Sequence, residues 1–116
     1  MKVEIETSDK QLLEEIFNKP EIAKAEPIFL GEGVALRGLE WRFFKGDGVS
    51  NLAIVLITIV GTIPANVAAN LITEWIQRRL KGHVKRVTIE KNEISFDDGQ
   101  IKKIVSEKIT KMRGPS

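Results

Sequence analysis

The run VSNLAIVLITIVGTIPANVAANLIT, from Val49 to Thr73, decides how this chain is read. It holds 25 consecutive residues without a charge. Within Leu52–Ile72, fifteen of twenty-one residues are aliphatic, and Gly61 and Pro64 are the breakers. About 20 apolar residues suffice for a helix to cross a bilayer. Charges crowd both ends, with Arg42, Lys45 and Asp47 before the run and Glu74, Arg78 and Arg79 after it. Trp75 stands at the C-terminal boundary, where interfacial aromatics are common. A membrane-inserting helix over 49–73 is therefore one reading.

Two observations favour a run wrapped inside its own protein. Thr58, Thr62, Asn66, Asn70, Glu74 and Arg78 recur every four residues, so a continuous helix gathers them into one polar stripe. Lipid would have to take in two Asn amides, whereas a soluble helix turns the stripe to water or to a partner. A span would also leave two flanking fragments, each too small for a core of its own. Two local forms fit. One is a buried strand Leu52–Val60 followed by a helix from Ile63 or Pro64 to Lys81, with Thr62 as its cap. The other is one long helix from Ser50, kinked at Pro64. The stripe crosses Gly61 unbroken and favours the long helix. Gly61, Ala65 and Ala69, also spaced by four, then form a flat face for close approach of another helix or of the protein's own sheet.

On the N-terminal side, Val3 and Ile5 alternate with Lys2, Glu4 and Glu6, the pattern of a half-buried strand. Ser8 or Asp9 caps a helix to about Asn18, with Leu12, Leu13, Ile16 and Phe17 on one face and Pro20 ending it. Pro27–Leu30 and Val34–Arg37 read as a hairpin around Gly31-Glu32-Gly33. Trp41, Phe43 and Phe44 read as a lid on the core before the Gly46-Asp47-Gly48 break. On the C-terminal side, Val84–Glu90 and Glu93–Asp97 form a second hairpin over a Lys91-Asn92 loop. Asp97 or Asp98 caps a last helix carrying Ile101, Ile104, Val105, Ile109 and Met112, stopped by Gly114-Pro115.

The length, 116 residues, suits one domain, with a central apolar segment 49–81 and a hairpin-helix unit 84–112. The expected fold is α+β: a small mixed sheet of two hairpins plus an N-terminal strand, packed around a long apolar central helix with two shorter amphipathic helices. Charge is uneven. Residues 1–48 carry seven Lys/Arg against ten Asp/Glu (−3), and residues 49–116 carry eleven against six (+5). The basic excess peaks at Arg78, Arg79, Lys81, Lys85 and Arg86, a candidate contact for an anionic surface. The same cluster is equally what a helix C-terminus and a solvated edge strand would carry, so nucleic acid is not the expected partner.

With no Cys and one His, His83, the chain has neither a thiolate metal site nor a multi-histidine one. Gly31-Glu32-Gly33 and Gly46-Asp47-Gly48 lack the Gly-Lys-Ser/Thr that completes a phosphate loop, and no serine elbow is present. No catalytic residue, metal or cofactor is expected. Met1–Lys10 has no apolar signal region, so a cytoplasmic protein is expected, with membrane association as the alternative.

The stretch Thr62–Ile109 resembles the effector-associated constant components of bacterial conflict and defence operons. The residues that carry the likeness are Ile63-Pro64-Ala65, Ala69-Asn70-Leu71, Trp75, Leu80-Lys81-Gly82, Val87-Thr88-Ile89 and Phe96-Asp97-Asp98-Gly99, followed by Ile101, Ile104, Val105 and Lys108-Ile109. The resemblance implies a non-enzymatic partner of a toxic or signalling effector. With the residue reading it gives the expected function: a non-catalytic interaction module, forming a homo-oligomer and serving a protein effector.

Overall fold

The computed structural model describes residues 1–17, 27–31, 33–45 and 49–113. The elements run β1 (Lys2–Thr7), α1 (Lys10–Phe17), β2 (Ile28–Gly31), β3 (Val34–Lys45), β4 (Val49–Ile59), α2 (Ala65–Trp75), β5 (Arg86–Ile89), β6 (Asn92–Ile94) and α3 (Asp98–Met112). A π-helical turn, Ile76–Leu80, continues α2. The strands form one six-stranded sheet in the order β2-β3-β4-β1-β5-β6. Every pairing is antiparallel, so the sheet is not the mixed one expected.

The long central helix is replaced by two elements. Leu52–Ile59 belongs to β4, a strand with β3 on one side and β1 on the other, and its Ile and Val content suits that place. Gly61 and Thr62 lie in the turn that follows, so the four-residue stripe passes from a strand through a turn into a helix. Pro64 is the N-cap residue of α2, at φ −57° and ψ 140°, where its missing N–H costs nothing. Thr62 does not cap that helix, since α2 makes no side-chain cap hydrogen bond. Among the described residues no helix is long and apolar enough to cross a membrane. With its π-helical turn α2 runs over 65–80, about the length of α3, so it is not a long central helix beside two shorter ones.

All three helices cover one face of the sheet. Val3, Ile5, Ala53, Val55, Ile57, Leu36, Val87 and Ile89 meet Leu13 and Ile16 of α1, Ala69 and Ile72 of α2 and Ile101, Val105 and Ile109 of α3 in one cluster. Helices α2 and α3 lie antiparallel. Gln77 Nε2 donates to Asp98 Oδ1 at 2.7 Å at one end, and the Arg113 guanidinium donates to the Ile63 carbonyl at the other.

Local signals place the outer elements. Asp9 Oδ1 accepts from the Leu12 amide at 3.2 Å and caps α1, and Asp97 Oδ1 accepts from the Gly99 amide at 2.9 Å and caps α3. The second hairpin turns one residue earlier than expected. Glu90 (φ 45°) and Lys91 (φ 74°) form its loop, and Asn92 pairs with Ile89. Strand β3 is far longer than Val34–Arg37 and takes in Trp41, whose ring lies 5.8 Å from that of Phe17. The Asn18 and Pro20 helix end, Glu32, the Gly46–Gly48 break, the Gly114-Pro115 stop and the side chains of Phe43 and Phe44 lie outside the described part.

Candidate interaction surface

An antiparallel sheet covered on one face ordinarily alternates apolar and polar residues along each strand. Strand β1 does so, with Val3, Ile5 and Thr7 buried and Lys2, Glu4 and Glu6 turned outward. Strand β4 does not. Its inward set is Ala53, Val55 and Ile57, and its outward set is Leu52, Ile54 and Leu56. The outer face therefore carries a central apolar ridge, and among the described residues no helix covers it.

The register builds the surroundings of that ridge row by row. Leu56 lies between Arg37 of β3 and Lys2 of β1, Ile54 between Glu40 and Glu4, and Leu52 between Arg42 and Glu6. The next row outward holds Thr58, Ala35 and Phe29. A bulge between Gly38 and Glu40 leaves Leu39 beside the ridge. Phe29 is 75% exposed, Leu39 53% and Val60, just past the end of β4, 55%. Three of the five large hydrophobic residues exposed among the described residues thus stand on or beside this face. Ile54 itself is only 8% exposed, so the ridge is open mainly at Leu52 and Leu56, which are half-buried. Apolar residues spread over an open sheet face and interleaved with charge suit a protein contact surface.

The residues singled out from sequence are scattered by comparison. Gly61 is exposed in a turn, Ala65 begins α2 half-buried, and Ala69 is buried in the core, so the three do not form one free helix face. Ala69 packs on the protein's own sheet. Of the polar stripe, Asn66 and Asn70 share the exposed side of α2, whereas Thr58 belongs to β4 and Thr62 to the turn. The outward residues of β4 went unread because helical spacing was carried through Gly61. Their signal was a run from Leu52 to Val60 rich in β-branched residues and ended by a glycine turn.

The basic cluster is largely neutralised within the chain. Arg78 pairs with Glu74 at 2.8 Å, Arg79 with Glu15, and Arg86 Nε with Glu93 at 2.6 Å. Lys81 and Lys85 are exposed and make no salt bridge among the described residues. A cleft of about 390 Å³ beside Arg78 and Arg79 is also lined by Asp9, Glu14, Glu15 and His83, so its carboxylates outnumber its guanidinium groups. That balance does not suit a polyanion. A second groove, of about 270 Å³, runs between α1, β2 and α2 over Ile16, Leu30, Leu71 and Trp75, with the Arg79–Glu15 and Arg78–Glu74 pairs at its rim.

His83 belongs to a local clamp. Its Nδ1 lies 3.0 Å from Asp9 Oδ2, and its carbonyl accepts from the buried Thr7 hydroxyl at 2.5 Å. The Leu12 amide above all, and then the His83 ring, hold the Asp9 carboxyl below the usual carboxylate range, against an opposing push from burial. A carboxyl lowered in this way stabilises the fold fully above its unfolded pKa of about 3.9, and the contribution is lost as pH falls through the folded value. Asp9→Ala should cost about 1 kcal/mol at pH 7, a typical cap loss. Urea unfolding at pH 7 and pH 3 should show the gap between wild type and variant closing in acid.

Comparison of the chain with known protein families, with curated proteins and with solved structures returns no match.

Proposed function

We propose that this protein is a non-catalytic interaction module whose working surface is the outer face of the sheet, the apolar ridge of β4 with Leu39 and Phe29 beside it. The observation that carries this reading is that β4 is apolar on both faces although the helices cover one. A face of this kind gains by being covered, at roughly 25 cal/mol for each Å² of apolar surface removed from water. The resemblance to effector-associated constant components adds a polypeptide as the class of partner, a protein effector or another copy.

Site-specific photo-cross-linking tests the reading. A photoreactive residue in place of Leu56, in the cells that make the protein, should yield a discrete cross-linked polypeptide. The same group at Lys103, exposed on α3, should yield none. Equal capture from both positions, or capture from neither, would discard the outer face as the working surface.

A further inference from the structure

We infer that the outer face is self-complementary, and that its occupant is a second copy of this chain related by a twofold axis lying across the strands. The inference rests on the reading of that face as the interface. Its basis is the order of charges along the sheet. The row through Leu56 is basic on both flanks, Arg37 on β3 and Lys2 on β1. The adjacent row through Ile54 is acidic on both flanks, Glu40 on β3 and Glu4 on β1. The two rows are two residues apart, about 7 Å along a strand.

Consider a twofold axis in the plane of contact, perpendicular to the strands and midway between these rows. It lays the Leu56 row of each copy over the Ile54 row of the other. Leu56 then meets the partner's Ile54, Arg37 meets the partner's Glu40, and Lys2 meets the partner's Glu4, each contact occurring twice as an isologous interface requires. Strand β3 faces β3 and β1 faces β1, so every flanking charge in the two rows meets its opposite. A twofold parallel to the strands does the reverse, setting Arg37 over Lys2 and Glu40 over Glu4. The charge order therefore selects one of the two face-to-face arrangements. Lys2, Arg37 and Glu4 make no salt bridge within the chain among the described residues; Lys2 and Glu4 act within the chain only at longer range, Lys2 attracting Glu40 and Glu4 attracting Arg42 across the ridge. Glu40 pairs through Oε1 with Arg42 at 2.6 Å within the chain, a bond that engages one of its two carboxylate oxygens. Sheets stacked in this way pack about 10 Å apart, with their inner side chains forming a shared apolar layer.

Sedimentation equilibrium of the purified full chain tests the pairing. The wild type should be dimeric. Lys2→Glu and Glu4→Lys should each weaken the dimer by about tenfold, because each replaces two attractions with two repulsions worth a few tenths of a kcal/mol apiece. The double variant Lys2→Glu/Glu4→Lys exchanges the two signs, keeps every contact complementary, and should recover an affinity within about threefold of wild type. All three change exposed or half-buried positions on one edge of β1, and circular dichroism checks that each is folded. A monomeric wild type at millimolar concentration overturns the inference, as does a dimer indifferent to the single reversals or unrestored by the double one. The cross-link from position 56 separates the two levels. A product of twice the chain mass agrees with self-pairing. A product of any other mass keeps the outer face as the working surface and sinks the second copy as its occupant.

Discussion

Adding one methyl group at Gly38 should lower the unfolding free energy by about 1–3 kcal/mol, the usual cost of overpacking. Gly38 lies on β3 opposite Val55, beneath the ring of Phe17 at the end of α1. A Cβ built there falls 2.5 Å from Phe17 Cε1, 2.6 Å from Cδ1 and 2.9 Å from Cζ, well inside contact distance along one whole edge of the ring. The ring has little room to retreat, for it is buried and the Trp41 ring lies 5.8 Å away between centroids. Phe17→Leu alone should cost about 1 kcal/mol or more in lost burial. In the Gly38→Ala background the same change removes the clash, so the two losses should not add. A double-mutant cycle by urea unfolding reads the coupling directly. Strict additivity would mean that α1 does not seat its aromatic ring on β3 through this glycine.

The outer elements were legible in the sequence because their signals are local. Asp9 and Asp97 each stand three residues before an amide they help satisfy, and helical spacing follows within one turn. The strand β1 alternates cleanly, and the hairpins announce themselves through turn residues. The middle was legible only as two alternatives, and the buried strand Leu52–Val60 with a helix after it, not the favoured long helix, is the one the fold adopts. Whether Leu52–Ile59 is helix or strand depends on its neighbours β1 and β3, and the pairing of Leu56 with Lys2 joins residues nearly half the chain apart. No window of sequence contains that information. Two-sided apolarity, the very property that makes the outer face a candidate interface, also erased the period-two signal by which a strand is recognised. The candidate helix face failed with the helix, since Gly61, Ala65 and Ala69 share a face only if the helix runs through Gly61. The charge rows of the outer face were likewise invisible, because Arg37 and Lys2 come to flank Leu56, and Glu40 and Glu4 to flank Ile54, only through the sheet register.

Asn51 is one of two polar residues, with Thr73, that the uncharged run commits to the interior, and removing its amide should cost about 2 kcal/mol. It is 1% exposed on β4, across from Thr7 of β1. Its Oδ1 accepts from Trp41 Nε1 at 2.9 Å, and its Nδ2 donates to the Thr7 carbonyl at 3.3 Å. Asn51→Leu keeps the volume and strips both groups of this partner, and each buried polar group left unpaired costs about 1–3 kcal/mol. Asn51→Asp keeps the shape and the bond to Trp41 but turns a carboxylate oxygen toward the Thr7 carbonyl. Burial and that facing oxygen both raise the pKa of the introduced carboxyl. Its folded form then holds a proton that the unfolded chain releases near pH 4, so stability should fall as pH rises from about 4 toward the raised value. Wild type has no such term at this position, and the difference between the two unfolding curves across acid pH isolates it. Were Asn51→Leu neutral or stabilising, the amide would not be bridging β3 to β1, and the run from Val49 would again be what its composition suggests, a segment seeking an apolar medium on every side.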